Sequence, residues 1–469
     1  MTRRELLLSA GAGAAAAAPA RHRDIVVVLC DDLGYGDLGC FGHPSIKTPN
    51  LDAFARQGMR FTDAYAAAPV CSPSRCGMLT GRTPFRLGVY DWIPPGSPMH
   101  LKRDEVTFAR MLKEQGYATC HSGKWHANGK FNSPEQPQPG DHGFDHWFST
   151  QNNAGPSHEN PNNFVRNGEK VGPLKGYSSQ VIVDEALTWM KAVPKTKPIN
   201  LFLCFHSPHE PIATSPAYVD RYPQAKKAGE ALYYGNVTEL DYHFGRFLEG
   251  LEAAGRGDAL VLFTSDNGPE TLLRYPGSWR SHGSAQPLRS MKLSLYEGGY
   301  RVPAIARWPG RIKAGTVSRE PICGVDFLPT FAAIAGAKLP PKKLDGTSLL
   351  PAFEGKAVRR ATPLHWHYFN ALDAPRATLR EGDWKITGAW AQSTPAPRVS
   401  GFRMEDLATF AARPLASFEL FNLRTDIGER TGLSAREPVK FAELRDKLIA
   451  AHTEVCSLAA SFSSPPPPR

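Results

Sequence analysis

Short runs of apolar residues recur along the first three quarters of the chain, separated by segments with helical spacing. The run Ile25–Cys30 contains no charged or amide side chain, which is typical of a central strand buried on both faces of a sheet. The same reasoning predicts further strands at residues 61–65, 117–121, 199–205, 259–264 and 302–308. Helical spacing predicts helices at residues 51–57, with Asn50 as the cap, and at 104–115, 181–193, 231–254 and 326–335. This alternation predicts an α/β fold with a mixed or parallel central sheet flanked by helices.

The pattern changes after Pro340 and Pro341, where the candidate strands become shorter and lie closer together. They fall at residues 364–369, 377–379, 384–387 and 419–422, and a terminal helix is expected at 439–456. We therefore predict a large domain at residues 21–340 and a smaller C-terminal α+β domain, built on an antiparallel sheet, at 341–458. Residues 459–469 are rich in Pro and Ser, which predicts a disordered tail.

Polar residues follow four of the predicted strands at the point where each strand ends. They are Asp31-Asp32, the segment 121–126, the segment 206–209 and Asp266-Asn267. In open α/β sheets, ligands bind beyond the carboxyl ends of the strands. The sequence therefore predicts that acids, histidines and a lysine converge at one edge of the sheet.

The N-terminus has the character of a targeting segment. Arg3-Arg4 precedes an apolar run at residues 6–18, and Ala18-Pro19-Ala20 is a small-residue cleavage site. Residues 1–20 therefore predict a twin-arginine-type signal, recognised by the twin-arginine export machinery, and a periplasmic protein. An uncleaved lipid or membrane anchor is the alternative, and no membrane span is expected in the mature chain.

Composition adds one further feature, a net charge of +10 in a chain of 469 residues. Lys and Arg are scattered along the chain rather than gathered in blocks, and no nucleic-acid module is visible, so no nucleic-acid partner is expected. The basic balance fits either a soluble surface or attraction of a polyanionic substrate. The eight cysteines show neither paired CxxC spacing nor a Cys/His zinc pattern.

The segment Cys71-Ser72-Pro73-Ser74-Arg75, which continues to Leu79-Thr80-Gly81-Arg82, carries a family resemblance. It resembles the signature of the type I, formylglycine-dependent sulfatases of the alkaline phosphatase superfamily. The resemblance implies that a formylglycine-generating maturation enzyme oxidises Cys71, and that the hydrate of formylglycine is the nucleophile. A geminal diol suits sulfate-ester cleavage because its second hydroxyl can expel sulfate by re-forming an aldehyde, whereas a sulfated Ser or Cys would be a stable ester.

Two acidic pairs match the metal-binding blocks of the same family. Asp31 and Asp32 match the first, and Asp266 and Asn267 match the second, with Cys71 expected at the same ion. Three carboxylates and an amide oxygen form an all-oxygen site, which suits Ca²⁺ better than zinc, with Mg²⁺ less favoured than Ca²⁺. A helix cap or turn is the ordinary role of a single Asp-Asp pair, but two such pairs in family order favour the metal site.

The resemblance also assigns histidines and cations around the sulfate group. Lys124 and His126, in Gly123-Lys124-Trp125-His126, are expected to bind a sulfate oxygen and the formylglycine hydrate respectively. His209, rather than His206, is expected to contact the sulfate or protonate the leaving oxygen. Lys292 precedes the block Glu297-Gly298-Gly299 and should bind sulfate.

Arg75 is the last residue of the signature. It should hold the formylglycine and the metal-binding carboxylates in place, because a guanidinium is always charged and can donate several hydrogen bonds.

These residues predict hydrolysis of a sulfated carbohydrate or an aryl sulfate. Two alternatives stay open: a phosphoester or phosphonate monoester hydrolase of the same superfamily, and an unmaturated protein that binds sulfated glycans without turnover. The polar segment 152–175 is expected at the mouth of the site. Trp92, Trp147 and Trp366 are candidates either for stacking on sugar rings or for packing.

Overall fold

The computed structural model describes residues 23–271, 276–391 and 413–462. The predicted signal at residues 1–20 and the end of the predicted tail, residues 463–469, lie outside the described residues. Within these ranges no helix is both long enough and apolar enough to cross a bilayer.

The described strands, in chain order, are β1 (Ile25–Cys30), β2 (Met59–Phe61), β3 (Ala64–Tyr65), β4 (Ala118–Lys124), β5 (His146–Thr150), β6 (Val165–Arg166), β7 (Glu169–Lys170), β8 (Ile199–Cys204), β9 (Leu260–Ser265), β10 (Ala304–Arg307), β11 (Thr316–Ser318), β12 (Ile322–Cys323), β13 (Leu364–Tyr368), β14 (Arg376–Glu381), β15 (Trp384–Trp390) and β16 (Leu415–Asn422).

The described α-helices are α1 (Pro49–Gln57), α2 (Cys71–Thr80), α3 (Pro84–Leu87), α4 (Phe108–Glu114), α5 (Ser178–Ala192), α6 (Pro216–Val219), α7 (Ala228–Ala253), α8 (Glu297–Tyr300), α9 (Phe327–Ala335), α10 (Leu350–Phe353) and α11 (Pro438–Phe462). Short 3₁₀ helices lie at Gly39–Phe41, Gly140–His142, Pro276–Arg280 and Gly324–Asp326.

The large sheet has ten strands in the order β11-β2-β10-β9-β1-β8-β4-β5-β6-β7. The central strands β9, β1, β8, β4 and β5 run parallel to one another. β10 runs antiparallel to both β9 and β2, and β6 runs antiparallel to β5. The predicted α/β fold with a mixed central sheet is thus confirmed.

Side chains on successive residues of β1 enter two different hydrophobic cores. Val26 and Val28 pack in the core beneath α5 and α7, while Val27 and Leu29 pack in the core beneath α2, α4 and α9. This alternation explains why the strand carries an unbroken apolar run rather than a period-two pattern.

Strands β13 to β16 form the predicted C-terminal antiparallel sheet, and α11 packs on it. Several of its apolar residues, including Leu379 and Ile386, belong to the same hydrophobic core as Val27 of the large sheet. The smaller sheet is therefore joined to the large one through shared core packing.

Four predicted helix starts are wrong. The helices expected from residues 181 and 231 begin earlier, at Ser178 and Ala228. The helix expected at residues 104–115 begins at Phe108, because the Thr107 hydroxyl accepts a hydrogen bond from the Arg110 amide at 3.1 Å and caps it there. The first helix begins at Pro49, with Thr48 preceding it, so Asn50 is not its cap. Proline suits the first helical position because its φ is already fixed.

Candidate active site

Asp31 and Asp32 follow β1, and Asp266 and Asn267 follow the neighbouring strand β9. The Asp266 amide donates to the Cys30 carbonyl at 3.0 Å, which extends the ladder to the point where the side chains diverge. Asp32 has a φ of 63°, in the left-handed region, and its amide donates to the Asp266 carboxylate at 3.2 Å. The turn after β1 therefore brings both acidic pairs to one place at the carboxyl edge of the sheet.

These side chains offer oxygen atoms suited to a hard cation. Asp31 Oδ1 and Asn267 Oδ1 are buried and accept no hydrogen bond from any residue that the structure describes, although Asn267 Nδ2 donates to Asp32 at 2.6 Å. One ligand atom each of Asp31, Asp32 and His209 lie within 4.8 Å of one another. Buried, unpartnered oxygens beside carboxylates fit a divalent cation of the calcium or magnesium type. His209 enters this group by position, and the sequence did not predict it there.

Cys71 is the first residue of α2, and its side chain is buried close to these acids. Burial raises the pKa of its thiol to about 11; Lys124 and Lys292 lower it, while Asp31 and Asp266 raise it further. An unmodified thiol at this position is therefore neutral at pH 7 and a poor nucleophile.

The two serines of the signature have structural partners. The Ser72 hydroxyl accepts a hydrogen bond from the Ile93 amide at 3.0 Å, and the Ser74 hydroxyl accepts one from the Ala67 amide at 3.2 Å. Gly81, with φ of 70°, ends α2 by donating its amide to the Gly77 carbonyl at 2.9 Å. The motif fixes the helix that carries Cys71.

Arg75 is completely buried one turn along α2 from Cys71. Its Nε donates to Asp266 Oδ2 at 2.8 Å, and its Nη1 donates to the Lys124 carbonyl at 2.8 Å. A second nitrogen lies 2.8 Å from the same Asp266 oxygen. Arg75 thus connects α2 to the ends of β9 and β4.

Two buried lysines pair with the two aspartates that follow β1. Lys124 Nζ lies 2.6 Å from Asp31, and Lys292 Nζ lies 2.7 Å from both carboxylate oxygens of Asp32. Burial opposes ionisation of Asp32, but the charges of Lys292 and His209 and the hydrogen bonds from Lys292 and Asn267 together outweigh it. They hold the pKa of this carboxyl well below its usual range. Burial raises the pKa of Asp266 to about 6 in spite of the Arg75 charge.

His126 and His209 lie on the same side of the site with different hydrogen-bond partners. His126 has a φ of 55°, and its Nε2 lies 3.1 Å from the Ile93 carbonyl. Its buried Nδ1 has no hydrogen-bond partner within the described parts of the chain. His209 Nδ1 lies 2.5 Å from the Glu210 carbonyl, and its Nε2 lies 3.7 Å from Asp32. Burial lowers the pKa of both imidazoles, that of His209 to about 3.

The neighbouring His206 is buried, and its Nε2 bonds to the Thr150 hydroxyl at 2.8 Å. His206 therefore has a structural role, because its hydrogen bond connects the end of β5 to the residues that follow β8.

Sequence reasoning missed His158, which lies within the polar segment 152–175. Its imidazole is buried, and neither ring nitrogen has a hydrogen-bond partner among the described residues. Its pKa is lowered to about 3, mainly by burial and further by the positive charges of His209, Arg280 and Lys124. His158 sits in an irregular loop, so no periodic pattern could have singled it out.

Of the three candidate tryptophans, Trp366 is a packing residue. Its side chain is buried, its ring centroid lies 4.7 Å from that of Tyr300, and its Nε1 donates to the Ala66 carbonyl at 2.9 Å. Trp147 is also buried and packs edge-on against Phe131. Stacking on a sugar ring is excluded for Trp366, because no face of its ring is accessible.

The amino-acid sequence matches a known protein family over most of its length. Residues 23–337 match the family model described as Sulfatase. The chain belongs to the sulfatase family. It is therefore a sulfuric ester hydrolase of the alkaline phosphatase-like superfamily. Residues 291–387 also match a model described as N-sulphoglucosamine sulphohydrolase, C-terminal.

The sulfatase is 37% identical to arylsulfatase A of Homo sapiens, over 92% of this chain and 86% of that protein. It is 35% identical to N-acetylgalactosamine-6-sulfatase of Sus scrofa, over 92% and 85% respectively. Among solved structures it is similar to Ps i-CgsB in complex with k-i-k-neocarrahexaose, with a TM-score of 0.78 and 27% identity, over 92% of this chain and 93% of that one.

Proposed function

We propose that this sulfatase hydrolyses sulfate esters of a sulfated carbohydrate or an aryl alcohol, with Cys71, converted to formylglycine, as the nucleophile. The observation that carries the proposal is the position of Cys71. It begins α2 beside two buried lysines, each paired with an aspartate, so that cations and carboxylates both act on its side chain. A sulfate ester brings an anion that such lysines can hold.

Two groups absent from the encoded sequence complete the chemistry. The formylglycine hydrate supplies a hydroxyl nucleophile and a second hydroxyl for sulfate release, and a divalent cation, Ca²⁺ in preference to Mg²⁺, supplies positive charge at the sulfate oxygens. We assign the cation to Asp31, Asp32, Asp266, Asn267 and the side chain at position 71. The unpartnered Asp31 Oδ1 and Asn267 Oδ1 support this assignment.

Lys124 and Lys292 are proposed to bind the sulfate oxygens. Both ammonium groups are buried, which strengthens their attraction for an anion over what it would be in water. Asp32 helps to raise the pKa of Lys292 despite burial, so this residue is charged at neutral pH. Arg75 is proposed to keep Asp266 ionised and aligned through its two short contacts.

His126 and His209 are proposed to move protons. The free Nδ1 of His126 is available to a hydroxyl at position 71. His209 Nδ1 is held by the Glu210 carbonyl, which leaves Nε2 for the leaving oxygen. An anionic substrate raises the pKa of a neighbouring imidazole, so sulfate binding favours the protonated form that a general acid requires.

The sulfated carbohydrate is the preferred substrate class. N-acetylgalactosamine-6-sulfatase, by its name, acts on a sulfated sugar, and the Ps i-CgsB structure is a complex with k-i-k-neocarrahexaose. The polar segment 152–175 and the basic net charge of the chain also favour an anionic sugar over a bare aromatic ester. We further propose that a maturation enzyme acts on Cys71, and that the twin-arginine signal at residues 1–20 directs the protein to the periplasm.

The test compares two buried cysteines of the same helix. Cys71→Ala should abolish turnover of nitrophenyl sulfate, while Cys76→Ala should retain it, since both side chains are buried in α2 but only Cys71 is assigned to the chemistry. Retained turnover in Cys71→Ala would refute the nucleophile assignment.

A parallel assay on nitrophenyl phosphate and phosphonate esters distinguishes a sulfatase from a phosphoester or phosphonate monoester hydrolase. A higher kcat/KM on those esters than on the sulfate would contradict the proposal. Binding of sulfated glycans without turnover, in protein whose residue 71 is fully converted, would identify a binding protein instead.

A further inference from the structure

A cleft of 660 Å³ opens at the far side of the large sheet from β7, beside its edge strand β11. No residue assigned to the active site lines it. Met59 and Phe353 form part of its floor, and the turn between β14 and β15 contributes Gly382 and Asp383. The cleft therefore lies where the C-terminal sheet meets the edge of the large one.

The charged residues of this cleft are unequally divided between the two signs. Its cations are Arg311, Lys313, Arg319, Lys356 and Arg424. Its carboxylates are Glu320, Glu354 and Asp383. Five cations face three carboxylates, which leaves a formal surplus of two positive charges in a concave site. A net surplus of positive charge in a concave site raises the local concentration of anions.

Three of the five cations, Arg311, Lys356 and Arg424, already form ion pairs with carboxylates of the cleft. Glu354 lies 2.8 Å from Lys356 and 3.9 Å from Arg311, and Asp383 lies 3.9 Å from Arg424. Lys313 and Arg319 are exposed, and within the described part of the chain their side chains make no ion pair or hydrogen bond. These two residues are the cations available to an incoming anion.

The position of the cleft relates it to the active site. β11 runs in the same direction as β1, since it is parallel to β2, and β2 and β9 both run antiparallel to β10. Arg319 therefore follows its strand at the same edge of the sheet as Asp31, whereas Lys313 precedes β11 and lies toward the opposite edge. Four strand spacings separate β11 from β1, which is roughly 19 Å at ~4.8 Å per spacing.

We propose that this cleft, which we call the basic cleft, binds a second sulfated segment of a polysaccharide whose other end occupies the active site. This inference rests on the proposed function for the choice of a sulfated glycan. The sideways displacement of roughly 19 Å, or four spacings of ~4.8 Å, is the least distance between the two sites and already exceeds the length of a small ester, so only a chain of several sugars engages both. The Lys313 and Arg319 side chains contact its sulfate groups, and the paired cations border them.

The direct test measures binding without turnover. In the full chain carrying Cys71→Ala, calorimetry with dextran sulfate and with neutral dextran should detect binding of the sulfated polymer alone. Lys313→Glu combined with Arg319→Glu should weaken it about tenfold at low salt, with a smaller effect at high salt. Lys191→Glu combined with Lys195→Glu, two exposed residues on and just after α5, makes the same change in net charge and should change affinity less than about twofold.

Three results would overturn the basic cleft. Equal weakening in both double variants would assign the effect to net charge alone, and undiminished binding in the Lys313/Arg319 variant would exclude the cleft. Duplex DNA binding as tightly as dextran sulfate, with the same dependence on Lys313 and Arg319, would replace the glycan by a nucleic acid.

Kinetics of the matured enzyme then separate this inference from the proposed function. The Lys313/Arg319 variant should raise KM for a sulfated oligosaccharide and leave kcat/KM for nitrophenyl sulfate unchanged. If no sulfate ester is hydrolysed by any variant while cleft-dependent binding persists, the proposed function fails and the basic cleft stands. If both substrates lose activity equally, the cleft has no separate role.

Discussion

Replacing Lys385 by methionine removes the cation from a buried cluster that joins the C-terminal sheet to α8. Lys385 Nζ lies 2.9 Å from Glu297 and 2.7 Å from Glu429, and all three side chains are shielded from solvent. Glu297 begins α8, five residues after Lys292, and its amide donates to the Glu429 carboxylate at 2.6 Å. The cluster therefore fixes the C-terminal sheet against the segment that carries an active-site lysine.

The expected loss is large because two carboxylates stay buried without their shared cation. Breaking a buried ion pair by removing one partner costs about 3–5 kcal/mol. Glu297 keeps Arg301 at 3.0 Å and the Tyr65 hydroxyl at 2.7 Å, which favours the lower end of that range. Urea unfolding followed by tryptophan fluorescence should show the loss as a lower midpoint for Lys385→Met.

A double variant and a control decide the interpretation. Lys385→Met with Glu429→Gln removes one charge of each sign, so it should be more stable than Lys385→Met alone. Lys113→Met removes a cation that pairs with Asp145 at 2.7 Å on the surface, and it should leave the midpoint unchanged. A single variant as stable as the wild type, or a double variant no better than the single one, would refute the reasoning.

Three further predictions follow from individual residues. Burial raises the pKa of Glu239 to about 7, from about 4.5 in the unfolded chain. The contribution of Glu239 to stability is therefore full below pH 4.5 and is lost as pH rises through 7, a change of up to about 3 kcal/mol. Glu239→Gln should abolish this contribution, as measured by urea unfolding at pH 4.5 and pH 7. Arg75→Lys cannot reach both Asp266 and the Lys124 carbonyl, so kcat/KM should fall about a hundredfold while circular dichroism stays native, and wild-type turnover would contradict this. Gly123→Ala places a Cβ 1.8 Å from the Cys204 carbonyl oxygen at a φ of 112°, so little soluble protein is expected, and a normal yield would contradict the clash.

The sequence predicted those parts of the fold that follow from local pattern. β1 appears with the predicted bounds because six consecutive nonpolar residues can be buried only between two layers. The sequence also predicted that the two acidic pairs lie close together, because the neighbouring parallel strands β1 and β9 end at the same edge of the sheet. These residues are Asp31, Asp32, Asp266 and Asn267.

Contacts between distant residues lay beyond such reasoning. Lys124 and Asp31 are 93 positions apart, and only the strand order β1-β8-β4 brings them within 2.6 Å. The helix was predicted to start at residue 104, but it begins at Phe108. Asp104 and Glu105 resemble the acidic first turn of a helix, whereas both bind Lys342, which lies far away in the sequence. The burial of His158 could not be predicted, because this residue lies in an irregular loop without a periodic pattern.

The measurement that tests the central claim most directly is the ratio of turnover to modification at Cys71. Preparations made with increasing amounts of a maturation enzyme are analysed by mass spectrometry of the peptide containing Cys71, which distinguishes the thiol from the aldehyde. The same preparations are assayed on nitrophenyl sulfate, and Cys71→Ala gives the baseline. We predict that kcat rises in proportion to the converted fraction and is zero at zero conversion. Full turnover by protein that retains the Cys71 thiol would contradict the account.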